Sequence, residues 1–293
     1  MHIPVLQKEV LEYLSPKPNE NFIDATIGQG GHTLGILRKN KPEGKVLGIE
    51  IDPQMYQRLK TQMKKFLKRL ILVNDSYVNL KEIVKRYRFK ANGILFDLGM
   101  SSWHIEESGR GFSFQRDERL DMRYDPKNYL TAEKIVNRYK KREIERILRE
   151  YGGERFARRI AKKICERRKI EPIKTTFQLK EVIKRALPRK YKWGRIHYAT
   201  RTFQALRIAV NNELENLKKA LPQAFEVLEP KGKIVVISFH SGEDKIVKEF
   251  LKKKEKEGNL QILTKKPVRP TPQEIKTNPR SRSARLRAGI KIF

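Results

Sequence analysis

The stretch NFIDATIGQGGH, residues 21–32, constrains the fold of this chain more than any other. A short apolar strand, Phe22-Ile23, runs into a turn holding Gly28, Gly30 and Gly31. A helix-compatible run follows from Thr33 to Leu37. Strand, glycine turn and helix together bring backbone N–H groups close to a bound nucleotide. The next strand of such a fold ends in an acidic residue that holds ribose hydroxyls. KVLGIEIDP supplies it, because Leu47, Ile49 and Ile51 face one way and Glu50 the other.

The turn narrows the nucleotide. A dinucleotide fingerprint places a third glycine at position 33, where this chain has Thr33. A phosphate loop continues into Gly-Lys-Ser/Thr, where it has Ile36-Leu37. Asp24, just before the turn, repels a pyrophosphate and welcomes a cation. A nucleoside with positive ammonium and sulfonium centres, S-adenosylmethionine, fits that combination.

Strand and helix patterns alternate on both sides of this motif. Strands are expected at residues 22–23, 46–51, 70–73, 93–98, 233–239, 260–264 and 285–293, the early ones with the near-continuous apolar character of a buried parallel sheet. Helices are expected at residues 6–14, 53–68, 80–87 and 244–256. Between residues 101 and 201 the alternation stops, and that stretch shows no strand pattern. Helices are expected there at residues 130–151, 155–168 and 175–187, the last opened by a Thr175-x-x-Gln178 capping box. A long helix over residues 200–221 restarts the α/β pattern. The expected architecture is therefore α/β, a Rossmann-like sheet from residues 1–104 and 201–293, with an inserted all-helical domain at residues 105–200.

Charge restricts the partner. Lys plus Arg number 66 against 34 Asp plus Glu, a net +32 spread along the chain, which calls for a polyanion such as nucleic acid. Apolar runs fall short of a membrane span, and HIPVLQKEV is no signal peptide, so a soluble, cytoplasmic protein is expected. Cys165, alone, excludes an internal disulfide, and no His/Cys/Asp cluster has ligand spacing, so no metal is expected.

Nine motifs in order carry a resemblance across nearly the whole chain: HIPVLQKEV, DATIGQGGHT, DLGMSS, RGFSF, RLDMRYD, GGERFARRIAKKI, ATRTFQALRIAVNNELE, VVISFHSGEDKIVK and NPRSRSARLR. The chain resembles the RsmH (MraW) family of S-adenosylmethionine-dependent methyltransferases. The resemblance implies a class I methyltransferase sheet with a helical, substrate-recognising insertion. It implies methylation of the exocyclic N4 of a cytidine in small-subunit (16S) ribosomal RNA near the decoding site. The partner is then that RNA, in an assembled or assembling subunit; monomer and homodimer both stay open.

Carried over by residue, the cofactor contacts fall on Gly30, Gly31, His32, Glu50, Tyr77 and Asp97, joined by Asp24 and Gly28 of the same turn. His104 stands where the family has a glutamine that contacts the cofactor, and Gly242 where leucine is usual. Asp97, Ser101, Ser102, Asn211, Ser238 and His240 are the candidate catalytic-pocket groups. Arg110, Arg116, Arg119, Arg280, Arg282, Arg285 and Arg287 are candidate RNA phosphate contacts, with residues 280–287 expected to be mostly extended. Asp121 is either functional or an ion-pair partner of Arg119 or Arg123. Two other classes compete: a dehydrogenase, and a non-catalytic basic ribosome-binding protein with a decayed pocket. The missing third glycine opposes the first. The intact acidic strand ends oppose the second.

Overall fold

A computed structural model describes residues 4–188, 191 and 197–293. The chain divides into two compact units, one from Met1–Met100 with Leu214–Phe293 and one from Ser101–Glu213.

The first unit is built on a seven-stranded sheet in the order β3-β2-β1-β4-β5-β7-β6. The strands are β1 Phe22–Asp24, β2 Val46–Glu50, β3 Leu70–Asn74, β4 Ala91–Asp97, β5 Leu228–Ser238, β6 Leu260–Ile262 and β7 Arg285–Lys291. β1 to β5 are mutually parallel, and β7 runs antiparallel between β5 and β6. Every strand expected from the sequence is present. Their order, which depends on crossovers rather than local pattern, adds the switch point: β1 pairs β2 on one side and β4 on the other, so the strand order reverses there and a crevice opens at the carboxyl ends.

Alternate strand residues feed two cores. Ile23, Leu47, Ile49, Ile94 and Phe96 pack with α4 (Leu80–Tyr87), α11 (Glu213–Val227) and α12 (Ser241–Lys256). Phe22, Val46, Leu95 and Val235 pack with α1 (Gln7–Leu14), α2 (Gly31–Lys39) and α3 (Pro53–Gln62). This period-two split explains why the parallel strands read as unbroken apolar runs: both faces are covered.

The second unit is helical: α5 Ser102–Glu106, α6 Ala132–Arg138, α7 Lys141–Glu150, α8 Ala157–Arg168, α9 Thr176–Ala186 and α10 Thr200–Asn211. Its described residues hold no strand beyond an isolated bridge, Arg119 to Thr175. The expected Thr175 capping box forms, with Gln178 Oε1 accepting from Thr175 N at 3.1 Å. Two long helices expected from periodicity are each broken. Tyr139 and Lys140 are extended between α6 and α7, where Glu143 accepts from Lys140 N at 2.7 Å and restarts the helix. Asn212, at φ 51°, separates α10 from α11, and Arg207 holds Glu213 across the break through two 2.9 Å bonds. The break also corrects the expected boundary at residue 201, because α10 packs on α6 and α7 and so belongs to the helical unit.

The residue 110–123 loop lacks regular structure but is stitched to the start of α9. Thr176 N donates to Glu118 O at 2.9 Å, and Phe177 N to Asp117 Oδ1 at 3.2 Å. Gly111 has φ 73°, and a Cβ there collides with the Arg119 carbonyl oxygen. Gly111→Ala is expected to cost at least about 1–3 kcal/mol from left-handed backbone alone. Urea unfolding followed by circular dichroism measures it; an unchanged midpoint contradicts this role of the turn.

Candidate cofactor site and its neighbours

The glycine turn lies at the switch point. β1 ends in Asp24, and the chain turns through Gly28 at φ 50° and Gly30 at φ 77° into α2. Gly30 caps that helix in the left-handed region, so a larger residue there is strained, and its own Cβ would press on Leu59 at 3.1 Å. The first N–H groups of α2 thus open toward the carboxyl ends of β1, β2 and β4.

Three carboxylates meet around this turn. Asp24 is buried, accepts from Thr33 Oγ1 at 2.7 Å and from Thr26 N at 3.3 Å, and burial pushes its carboxyl up to about 6 against the lowering effect of those bonds. Glu50, at the end of β2, is 7% exposed; burial pushes it up to about 7, and the Asp52 N–H that it accepts at 2.9 Å only partly offsets this. Asp97 ends β4, where its N–H donates to Thr26 Oγ1 at 2.6 Å. His32, 6% exposed, has both ring nitrogens without a hydrogen-bond partner, its Nε2 lying 3.6 Å from Asp97 Oδ2. Tyr77 follows β3 and meets Phe96 edge-on at 5.7 Å.

Of the cofactor residues expected from sequence, Asp24, Gly28, Gly30, Gly31, His32, Glu50, Tyr77 and Asp97 lie in the first unit, whereas His104 belongs to the second. The structure adds Thr26, which ties β1 to β4, and Thr33. The sequence presents Thr33 only as an absent glycine; its hydroxyl in fact orients Asp24. The arrangement fits an adenosyl sulfonium. Glu50 offers carboxylate oxygens to hydroxyls, and His32 offers orphaned nitrogens.

Other candidates have different partners. Ser238 is 1% exposed and donates to Arg285 O at 3.3 Å. His240 caps α12, with Glu243 accepting from its N–H at 3.3 Å. In the helical unit, Ser101 caps α5, Ser102 opens that helix, and Ser101 Oγ lies 2.8 Å from His104 Nδ1. His104 is 5% exposed and boxed by Trp103, Phe112 and Tyr124. Asn211 ties the loop down, accepting from Tyr124 N at 2.8 Å and donating to Met122 O at 2.7 Å. Asp121 pairs with Arg123, not Arg119; burial raises its carboxyl, but the Arg123 hydrogen bonds and charge outweigh this and hold it low.

The arginines divide. Arg110 donates to the carbonyls of Arg123 and Tyr124 and lies over the Trp103 ring, which makes it a staple of its loop. Arg116 is exposed and bonds the Glu106 carbonyl, while Arg119 lines a polar cavity with Arg123, Lys134 and Arg138. Residues 280–287 are not one extended segment: Arg280 and Arg282 are exposed on a 3-10 turn, whereas Arg285 and Arg287 lie in β7. Arg287 is 8% exposed and grips Asp244 at 2.6 Å, which corrects its reading as a phosphate contact. Arg285 shares Asp244 at 3.2 Å.

Residues 1–292 match the MraW methylase family. The chain belongs to that family. This MraW-family chain is 46% identical over 292 residues to the ribosomal RNA small subunit methyltransferase H of Sulfurihydrogenibium sp. (strain YO3AOP1), covering 99% of each. It is 46% identical over 291 residues to the protein of the same name in Thermotoga neapolitana, covering 98% of this chain and 95% of that one. A crystal structure from Clostridium thermocellum, described as an rRNA-methylase, covers 100% of both chains at TM-score 0.50 and 14% identity, and bears on the fold alone. The α/β Rossmann-like class expected from sequence is the observed one, and S-adenosylmethionine is the cofactor that this family and fold use. No helix among the described residues is long and apolar enough to cross a membrane.

Proposed function

We propose that this chain transfers a methyl group from S-adenosylmethionine to small-subunit ribosomal RNA, at the exocyclic N4 of a cytidine near the decoding site. The observation that carries the reading is the set of three carboxylates and an orphaned histidine around the glycine turn, intact in a chain that matches methyltransferase H relatives end to end. A decayed pocket does not keep a buried Asp24 with its dedicated Thr33 partner. A pyrophosphate-binding dehydrogenase site does not put that carboxylate beside the turn.

S-adenosylmethionine supplies an electrophilic methyl on a positively charged sulfur. Glu50 holds its ribose, Tyr77 flanks its adenine, and Asp24 and Asp97 supply negative charge beside the turn. Cytosine N4 is a weak nucleophile because its lone pair is delocalised into the ring. Holding it in line with the methyl contributes ~7–11 kcal/mol to lowering the barrier. Asp97, with 19% of its side chain exposed, is the carboxylate open enough to meet the amine and accept its N–H hydrogen bonds. The helical unit, Ser101–Glu213, recognises RNA. The partner is the assembled or assembling small subunit in the cytoplasm.

A thermal-shift comparison tests the cofactor. S-adenosylhomocysteine at 100 times its dissociation constant stabilises by about 2.7 kcal/mol, and NAD at the same concentration by none. The reverse ranking contradicts the reading. The exposed tail is tested by salt: replacing Arg280 and Arg282 together with alanine is expected to flatten the log–log salt dependence of RNA binding by up to about 1.4, with cofactor affinity unchanged. An unaltered slope makes those arginines bystanders.

A further inference from the structure

We propose that the helical unit carries a nucleobase-stacking platform, formed by Phe114, His197 and Tyr198, that takes an unpaired base of RNA. The inference rests on the RNA-substrate reading above and names where that RNA is gripped.

The three rings form a near-parallel ladder. Phe114 and His197 stack at 4.4 Å with 12° between their planes, and His197 and Tyr198 at 4.2 Å with 29°. The ladder is anchored from below, because buried Phe203 of α10 meets Phe114 edge-on at 5.3 Å and 77°. Lys180 of α9 fixes it from the side, donating to the Phe114 carbonyl at 3.2 Å. The same ammonium stands 4.2 Å from the centroid of Phe177, a ring left 38% exposed.

The geometry differs from that of the unit's buried aromatic cluster. Around His104 the ring pairs meet at 71°, 64° and 71°, the edge-to-face packing usual in a core, and the one near-parallel pair there, Phe112 and Tyr124 at 17°, is closed off against the buried His104. The ladder instead lies flat, its middle ring is exposed and its end rings are half-buried. Among the described residues, no ring or cation covers the outer face of Tyr198. A core gains little by leaving such rings wet. An unpaired base gains a flat, ordered surface on which to add the next layer.

His197 is held as a neutral ring. Its Nδ1 accepts from Ala199 N at 3.2 Å, which leaves Nε2 as the protonated nitrogen, and partial desolvation between its stacked neighbours, with the nearby Lys180 charge, lowers its pKa. A neutral imidazole continues a stack without demanding a counter-ion. Lys180 supplies the positive charge beside it for the backbone of the same strand, in a chain of net charge +32. Stacking on aromatic rings flanked by cations is how single-stranded RNA is held, and it tolerates any base.

The test measures binding of a short single-stranded RNA containing 2-aminopurine, by anisotropy and by quenching of that base. Tyr198→Leu is expected to weaken binding about five- to a hundredfold and to relieve quenching, while Tyr198→Phe stays within about twofold of wild type. The log–log salt slope should be unchanged in both, because no phosphate contact is lost. Retained S-adenosylhomocysteine binding shows that the variants are folded. Wild-type affinity in Tyr198→Leu overturns the platform. So does equal loss in Tyr198→Phe, which assigns the effect to the hydroxyl. A defect confined to whole small subunits, with the oligomer bound normally, also overturns it in favour of a protein contact. The assay reads binding without turnover. A wild-type protein that grips the oligomer yet methylates no ribosomal RNA therefore defeats the functional reading and leaves the platform standing.

Discussion

Replacing Glu50 with glutamine is expected to weaken S-adenosylmethionine binding about ten- to a hundredfold at pH 8, the effect of one charge-assisted hydrogen bond of about 1.5–3 kcal/mol. The same change is expected to stabilise the empty protein. Burial raises the Glu50 carboxyl from 4.5 to about 7, so between those values the native state holds a proton that the unfolded chain has released. Stability of the empty protein therefore falls as pH rises through that window, and above it the native state carries a buried, under-solvated carboxylate. Glutamine removes that cost, on the order of 1–3 kcal/mol near pH 8. Binding runs the opposite way. Ribose hydroxyls need the ionised form, so wild-type affinity should climb from pH 6 to 8 with proton release, and the glutamine variant should lose most of that climb. Asp24, raised to about 6, accounts for the remainder. Calorimetry in two buffers of different ionisation enthalpy reads both affinity and protons. Equal affinity in a folded variant removes Glu50 from the site.

Asp244→Ala is expected to cost about 3–5 kcal/mol, because it strands a buried guanidinium without its partner. Asp244 in α12 accepts from Arg287 at 2.6 Å and from Arg285 at 3.2 Å, both on β7. The pair locks the antiparallel strand that follows the 3-10 turn onto the parallel sheet. Burial raises the Asp244 carboxyl, but the hydrogen bonds and charges of Arg287 and Arg285 outweigh it and leave its pKa below the usual 3.8. The sign follows: this contribution is complete above the unfolded value and is lost as pH falls through the lowered native one. Urea unfolding at pH 7 and pH 3 measures it. A variant as stable as wild type at pH 7 contradicts the assignment.

These two sites differ in how well the sequence exposes them. Glu50 is legible because a period-two strand and a glycine turn at fixed spacing leave one place for a ribose-binding acid. Arg287 is not legible as a structural residue because charge says nothing about burial: two residues apart on β7, Arg285 is half-buried and Arg287 buried. Only the tertiary partner Asp244 distinguishes them from the exposed Arg280 and Arg282. The strands were all visible, since covered parallel strands are long apolar runs. The helix breaks were not, because neither contains proline or glycine. Lys140 is extended with its N–H donating to the Glu143 carboxylate, and Asn212 turns left-handed beside an Arg207–Glu213 pair that exists only after folding. The capping box at Thr175 was legible because it is local, three residues from cap to acceptor. Thr33 illustrates the limit in the site itself. Its side chain matters for what it bonds, which no spacing rule encodes.

The most direct test of the account is nucleoside mass spectrometry of small-subunit ribosomal RNA. Subunits from cells lacking the protein are incubated with S-adenosylmethionine and either wild-type chain or the Glu50→Gln variant. One added methyl per RNA is expected, recovered as N4-methylated cytidine, formed by wild type and formed slowly by the variant at limiting cofactor. A methyl recovered on another atom, on large-subunit RNA, or not at all contradicts it.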